Sequence, residues 1–335
     1  MARELTTTAA INEALRIAMR TDPDVILMGE DVAGGGALEA EGTEEAGGIM
    51  GTTRGLITEF GPERVLDTPI SEMGLIGTAV GAAATGMRPV AELMFIDFLG
   101  VCLDPLLNQA AKLRYMFGGK ASVPLTVRTV TGAGMQSAAQ HSQSLYWITA
   151  GIPGLKTVIP SNAYDAKGLL LASIRNDDPV VFCEAKGILF DSTDVPEEDY
   201  MIPIGKAAVA REGNDVTPVG MGATVKMALA AADTLAGDGI SAEVIDLRSL
   251  APLDESAILA SLEKTGRLVV VDEATPRCGI ASDVAALCVD KGFDFLDAPV
   301  KRVTAPHTPV PFNAALEAAY MPSAEKVVAA VREMG

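Results

Sequence analysis

Histidine is nearly missing from this 335-residue chain, which has two, and aromatic residues make up only 4% of it. Four cysteines, Cys102, Cys183, Cys278 and Cys288, show no C-x-x-C spacing. With so few histidines this excludes a zinc centre built from Cys and His. Buried, reduced thiols fit a cytoplasmic setting, cytosol or mitochondrial matrix, rather than a secreted one. The first residues, MARELTTTAAINEALRIAMR, contain acids and no apolar core, so they do not read as a signal peptide. No run reaches the ~20 apolar residues that a membrane span needs, and the most apolar stretch, 74–86, is short and glycine-rich. Positive charge is also scarce: 26 Lys and Arg against 44 Asp and Glu leave a net charge of −18. A phosphate backbone demands a basic surface, so neither a nucleic acid nor a membrane is expected as partner.

What remains is an ordinary globular composition, 49% hydrophobic and 21% charged. The length predicts about two domains. Apolar residues Ile11, Leu15, Ala18 and Met19 recur at helical spacing, and Asp22-Pro23 ends that helix. Strand-like segments VILMGED, RVLDTPI, RPVAELMF, VPLTVRTVTGAG, GLKTVIPS and PVVFCEAK alternate with helical ones, among them MGLIGTAVGAAATG and a long amphipathic segment, DFLGVCLDPLLNQAAKLRYM. That succession predicts an α/β fold with a doubly wound parallel sheet. The acidic, proline-bearing stretch around 191–204 reads as a linker. A second, smaller α/β alternation follows over 205–335, and no internal repeat is evident. The glycine-rich, acidic segment 33–51 reads as a loop whose role the sequence leaves open.

Two short segments carry the chemistry. DTPISEMG, 67–74, places Glu72 after a proline-fixed turn and before a small-residue run with GxxxG spacing at Gly77 and Gly81. Such a strand-to-helix turn is where ligand crevices form in doubly wound sheets. The GxxxG spacing permits close helix packing, internal or between subunits. AAQHSQ, 138–143, holds His141 in a loop after the Gly/Ala/Ser run TVTGAGMQSAA. Small residues let backbone approach a ligand, and histidine can protonate an oxygen near neutral pH. The other histidine, His307, sits in a proline-rich turn and is expected to be structural. No G-x-G-x-x-G or P-loop is present, so a nucleotide site is not expected.

With INEAL, MGEDV, VGAAATGMRPVAE, PGLKTVIPS, YDAKGLL, IRNDDPVVF, DLRSLAPLD and VDE in order along the chain, the sequence resembles the β subunits of thiamine-diphosphate-dependent 2-oxoacid and acetoin dehydrogenases. The stretch ELMFIDFLGVCLDPLLNQAAKLRYMFGGK looks most like the acetoin enzymes, with pyruvate and branched-chain 2-oxoacid enzymes as alternatives and a non-catalytic assembly subunit as the more distant one. The resemblance implies a thiamine-diphosphate pyrimidine-binding domain (1–190), a linker (191–204) and a transketolase C-terminal-like domain (205–335). It also implies an α2β2 heterotetramer that passes an acyl group to the lipoyl group of an acyltransferase core. Glu72 matches the family's activating carboxylate and His141 its substrate-side acid–base residue. Phe98 matches an aromatic beside the aminopyrimidine, and Glu30 an acid lining a passage between paired sites. Leu125, Ser173, Ile174, Asn176 and Asp178 match a K⁺ site, with Asn176 standing where the family commonly carries Asp. The Gly237–Gly239 GDG resembles the start of the thiamine enzymes' Mg²⁺-diphosphate motif, but no Asn-Asn pair follows and GDG reads as a helix end. Mg²⁺ and the diphosphate are therefore expected to be held by the α subunit.

Overall fold

A computed structural model describes residues 3–34 and 47–335. The segment 33–51 lies largely outside the described residues. The chain opens with β1 (Arg3–Thr6) and α1 (Thr7–Thr21), whose start is capped by the Thr6 hydroxyl accepting from the Ala9 N–H. Then come β2 (Val25–Gly29), α2 (Leu56–Phe60), β3 (Val65–Asp67), α3 (Glu72–Ala84) and β4 (Arg88–Phe95). After these follow α4 (Ala111–Met116), β5 (Thr126–Thr131), α5 (Tyr146–Ala150), β6 (Lys156–Val158), α6 (Ala163–Ile174), β7 (Val180–Ala185) and β8 (Ser192–Val195).

Six of these strands form a parallel sheet in the order β6-β7-β5-β4-β2-β3. Its strands are buried on both faces because helices cover both. On one side α1 and α6 pack Ile11, Leu15, Leu169 and Leu170 on Leu27, Val90 and Val180. On the other, α3 sets Ile76, Ala79 and Val80 on Met28, Ala91 and Val127. Each fully buried Leu or Ile contributes roughly 1.5–3 kcal/mol. The doubly wound sheet expected from the alternation is thus present.

Three expectations change. The segment 96–116 is not one long helix: it starts as a 3-10 turn (Ile96–Gly100), and Pro105 opens a π-helical stretch (Pro105–Ala110) before α4. Proline lacks the N–H that continuous helix needs. The segment read as linker carries β8, which pairs antiparallel with β1 and ties the chain's start to the end of the first sheet. Cys278 is exposed, whereas Cys102, Cys183 and Cys288 are buried with thiols pushed up by desolvation. His307, in its proline-rich turn, is exposed on the rim of a cleft between the domains.

The second domain contains β9 (Ala208–Arg211), β10 (Thr217–Gly220), α7 (Ala223–Gly237), β11 (Val244–Asp246), β12 (Ser249–Ala251) and α8 (Glu255–Thr265). It continues with β13 (Leu268–Asp272), α9 (Ile280–Lys291), β14 (Lys301–Thr304), α10 (Ala314–Tyr320) and α11 (Ala324–Arg332). Its sheet runs β14-β13-β10-β11-β9, parallel except for β9. As expected, GDG ends a helix: α7 stops at Gly237 and Gly239 takes φ +80°. One strand changes domain. β12 leaves the second domain's sequence and pairs antiparallel with β6, extending the first sheet to seven strands. Nearby, the Arg248 guanidinium grips Asp165 of α6 with two hydrogen bonds of 3.0 and 2.7 Å. Sheet extension and ion pair together lock the domains against each other.

Candidate active site

The carboxyl ends of parallel strands are where a doubly wound sheet opens a crevice, and five of them converge here. Glu30 follows β2, residues 68–72 follow β3, Asp97 and Phe98 follow β4, the His141 loop follows β5, and Lys186 follows β7. Glu72 is the first residue of α3, where a carboxylate faces the helix's positive end. It lines a shallow recess with Glu30, Thr68, Ser71, Glu92, Met94 and Phe98, whose cavity volume is only about 10 Å³. Cofactor sites enclose roughly 300–1,000 Å³, so this recess is one wall of a site rather than a whole one. The Thr68 hydroxyl oxygen is buried in it without a hydrogen-bond partner.

His141 is half-buried behind the same wall. Its ring meets Phe98 edge to face, centroids 5.3 Å apart at 86°, and Phe95 at 5.0 Å and 77°. Phe95 and Phe98 themselves pack at 5.9 Å. Phe98 therefore touches the Glu72 recess on one side and the histidine on the other. That joins two motifs about seventy positions apart in sequence into one site.

Around His141 the backbone is held by groups that the sequence reading missed. The Lys186 ammonium, 3% exposed, donates to the His141 carbonyl and lies 4.7 Å from the Phe95 ring centroid. Desolvation lowers the Lys186 pKa, opposed by Asp97, Glu317 and Glu273. Asp97 accepts from the Gln143 backbone N–H at 3.1 Å and its side-chain amide at 2.9 Å. Behind Glu30 and Glu72, Glu92 belongs to a buried triad: Arg128 donates to Glu92 at 2.8 Å and to Glu184 at 2.7 Å. The Glu30 carboxyl is pushed up, first by desolvation and then by Asp31, Glu72 and Glu92. The signal for the triad was present: an acid in RPVAELMF, an arginine in VPLTVRTV and an acid in VVFCEAK interrupt apolar parallel strands, where charges occur only when paired.

Glu273, buried behind the His141 loop, has its pKa raised to about 8 by desolvation and then by Asp272, with Lys186 opposing. The folded protein therefore holds a proton that an unfolded chain, titrating near 4.5, has released. Its contribution is fully present below about pH 4.5 and is lost as pH climbs through about 8. Thermal unfolding of the assembled protein is expected to show Tm declining between roughly pH 5 and 8, and Glu273→Gln is expected to flatten that decline. An unchanged slope in the variant would assign the decline to other groups.

The five residues matched to a cation site lie far from this crevice, about the turn from α6 to β7, and they do not present a free ring of oxygens. The carbonyls of Ile174 and Asn176 accept from the Arg88 guanidinium at 3.3 and 3.2 Å. Leu125 O accepts from the Val180 N–H and Ser173 O from the Asn176 N–H. Lys156 bridges the Asn176 and Asp178 side chains at 2.8 and 3.0 Å. The Arg88 guanidinium thus already holds two of these carbonyls, which counts against an added monovalent cation. Among the described residues no group of three or more His, Cys, Asp or Glu is arranged to hold a metal.

Fold and site together define a two-domain α/β chain with a crevice at the carboxyl ends of its first parallel sheet. Residues 3–190 match the family described as transketolase, pyrimidine binding domain, and residues 205–327 match transketolase, C-terminal domain. The chain is 60% identical over 335 residues to the acetoin:2,6-dichlorophenolindophenol oxidoreductase subunit beta of Bacillus subtilis, covering 100% of this chain and 98% of that one. It is 54% identical to the protein of the same name from Cupriavidus necator, covering 99% and 98%. It is 43% identical to the B. subtilis pyruvate dehydrogenase E1 component subunit beta, covering 99% and 98%. A solved split-gene transketolase, an inactive β4 tetramer, superposes with a TM-score of 0.78 over 98% of both chains at 23% identity, which shows the shared fold. The chain belongs to the family of β subunits of thiamine-dependent acetoin and 2-oxoacid dehydrogenases.

Proposed function

We propose that this chain is the β half of an acetoin dehydrogenase active site, in which Glu72 and His141 act on either side of Phe98. The observation that carries this is the aromatic bridge: one ring contacts both the carboxylate-lined recess and the histidine. Thiamine diphosphate, when bound, supplies a thiazolium carbon that becomes nucleophilic once its proton is removed. The residues of the recess suit its aminopyrimidine: Glu72 to share a proton with the ring nitrogen, Phe98 to pack on the ring, and the unpartnered Thr68 hydroxyl to take a polar edge. Glu30, with its raised carboxyl, can hold a proton next to Glu72 and return it. His141 faces the substrate side and gives or takes a proton at the substrate oxygen.

A partner must complete the site. The recess is a single wall, and among the described residues there is neither a metal cluster nor an evident diphosphate cradle. An α subunit in an α2β2 assembly would bring Mg²⁺ and the diphosphate site, and the acyl group would leave on the lipoyl arm of an acyltransferase core. Gly77 and Gly81 on α3 are exposed, with open space beyond their Cα atoms. That face suits a close subunit contact rather than the internal packing also open from the sequence. K⁺ has no part in this reading, because the Arg88 guanidinium already holds the Ile174 and Asn176 carbonyls. The buried thiols fit a cytoplasmic enzyme.

The test is dye-linked reduction by the chain co-expressed with its α partner, with thiamine diphosphate and Mg²⁺, on acetoin, pyruvate and 2-oxoisovalerate. Preference for acetoin is expected. Preference for a 2-oxoacid would move the chain to the pyruvate or branched-chain group, and no turnover by a well-formed complex would contradict the reading. His141→Ala is expected to reduce turnover by about 10²-fold while cofactor affinity stays near that of the parent. Weakened cofactor binding with unchanged turnover would contradict the role of His141.

A further inference from the structure

The loop that carries His141 has a backbone that its own residues do not favour. Gly132 and Gly134 take φ +90° and +108°, but Gln136 and Ala138, which bear side chains, sit at +52° and +59°. L-residues avoid that region, so the conformation persists only where the surroundings determine it. Part of that determination comes from the other domain. Glu317 on α10 is 4% exposed, and its carboxylate accepts from the Gly134 N–H at 2.9 Å and from the Gln136 N–H at 3.1 Å. The contact spans 183 residues of sequence. Nothing in α10 itself requires an acid there, because Asn313 already caps the helix by accepting from the Ala315 and Leu316 N–H groups. A charged acceptor taking two backbone donors is a strong, directional hold. From the first domain, Lys186 grips the His141 carbonyl and Asp97 grips Gln143. His141 is thus suspended between two anchors, one in each domain.

We propose that Glu317 is a positioning residue for His141: the second domain, through this carboxylate, sets the geometry of the acid–base histidine in the first. The proposal rests on the reading of His141 as the acid–base residue. It implies that a disturbance of α10 reaches the chemistry without touching the cofactor wall.

The α/β complex carrying Glu317→Ala, Glu317→Gln or His141→Ala is compared with the parent for kcat and KM per cofactor-loaded site, and for deuterium uptake of residues 132–143. Glu317→Ala is expected to lower kcat by about 10- to 100-fold, as a small misplacement of a reacting group does. Its substrate KM should stay within about twofold, since ground-state binding is not what is lost. Uptake in 132–143 should rise, and Glu317→Gln, which keeps an acceptor oxygen, should recover most of the turnover. A merely structural role would instead lower the amount of assembled complex and leave kcat per loaded site unchanged. If Glu317→Ala does not assemble, Glu317→Asp, one methylene shorter, supplies the same comparison. The proposal is overturned if His141→Ala is inactive while Glu317→Ala keeps parental kcat and uptake. If His141→Ala itself turns over normally, the underlying reading of the histidine fails first, and this inference falls with it.

Discussion

Glu72→Gln in the assembled complex is expected to lower kcat by about 10²- to 10⁴-fold, the range in which a positioned acid–base group contributes. Glutamine fills the same space and keeps an acceptor oxygen, but it cannot share a proton with a ring nitrogen. The fold should tolerate the change. Glu72 opens α3, and losing its charge there removes about 0.3–1 kcal/mol of helix-dipole stabilisation. That loss is offset by relief of repulsion, because Glu72 is one of the charges that push up the Glu30 carboxyl. Assembly and Tm should stay close to the parent while turnover collapses. Near-normal turnover would end the assignment of Glu72 as the activating carboxylate.

Arg128→Met is expected to be the most destabilising single substitution near the site. The guanidinium is 1% exposed and stands between Glu92 and Glu184, so its removal leaves two carboxylates facing each other in the sheet. Breaking a buried ion pair by removing one partner costs about 3–5 kcal/mol, which corresponds to a Tm fall on the order of 10 °C. Desolvation already raises the Glu184 pKa against the pull of Arg128, so without its cation that carboxyl should take up a proton and soften the loss at low pH. Arg128→Lys should recover only part of the stability, since an ammonium cannot reproduce the fork to two carboxylates. Adding Glu92→Gln and Glu184→Gln to Arg128→Met should restore most of it, because no unpaired buried charge then remains. Calorimetry across that series is the check. Equal Tm for parent and Arg128→Met would show that the triad is electrostatically idle.

Much of this was legible in the chain. The alternation of apolar strands with helical segments defined the doubly wound sheet, and the end of α1 at Asp22-Pro23 followed from proline's missing N–H. Glu72, Phe98 and Glu30 were named from their motifs, and the fold brings all three to one recess. His141 was named with them, and the structure sets it on the far side of Phe98. The remainder depended on contacts that no local pattern encodes. That β12 joins the first sheet is a matter of register between strands about ninety residues apart, and its three residues, Ser249–Ala251, look like any short apolar turn. Lys186 and Glu317 lie far from AAQHSQ in sequence, and only the folded chain brings them to that loop. The cation-site residues are a different case. Sequence correspondence located their carbonyls, but Arg88, in another strand, decides whether those oxygens are free.

Proton exchange at the thiazolium carbon of bound thiamine diphosphate, followed by rapid acid quench and NMR, tests the central claim most directly. It isolates cofactor activation from substrate choice and from acyl transfer. In the complex of this chain with its α partner, exchange is expected to be fast, and in the Glu72→Gln complex with cofactor still bound it is expected to slow by about 10²-fold or more. Equal exchange rates in the two complexes would contradict the account.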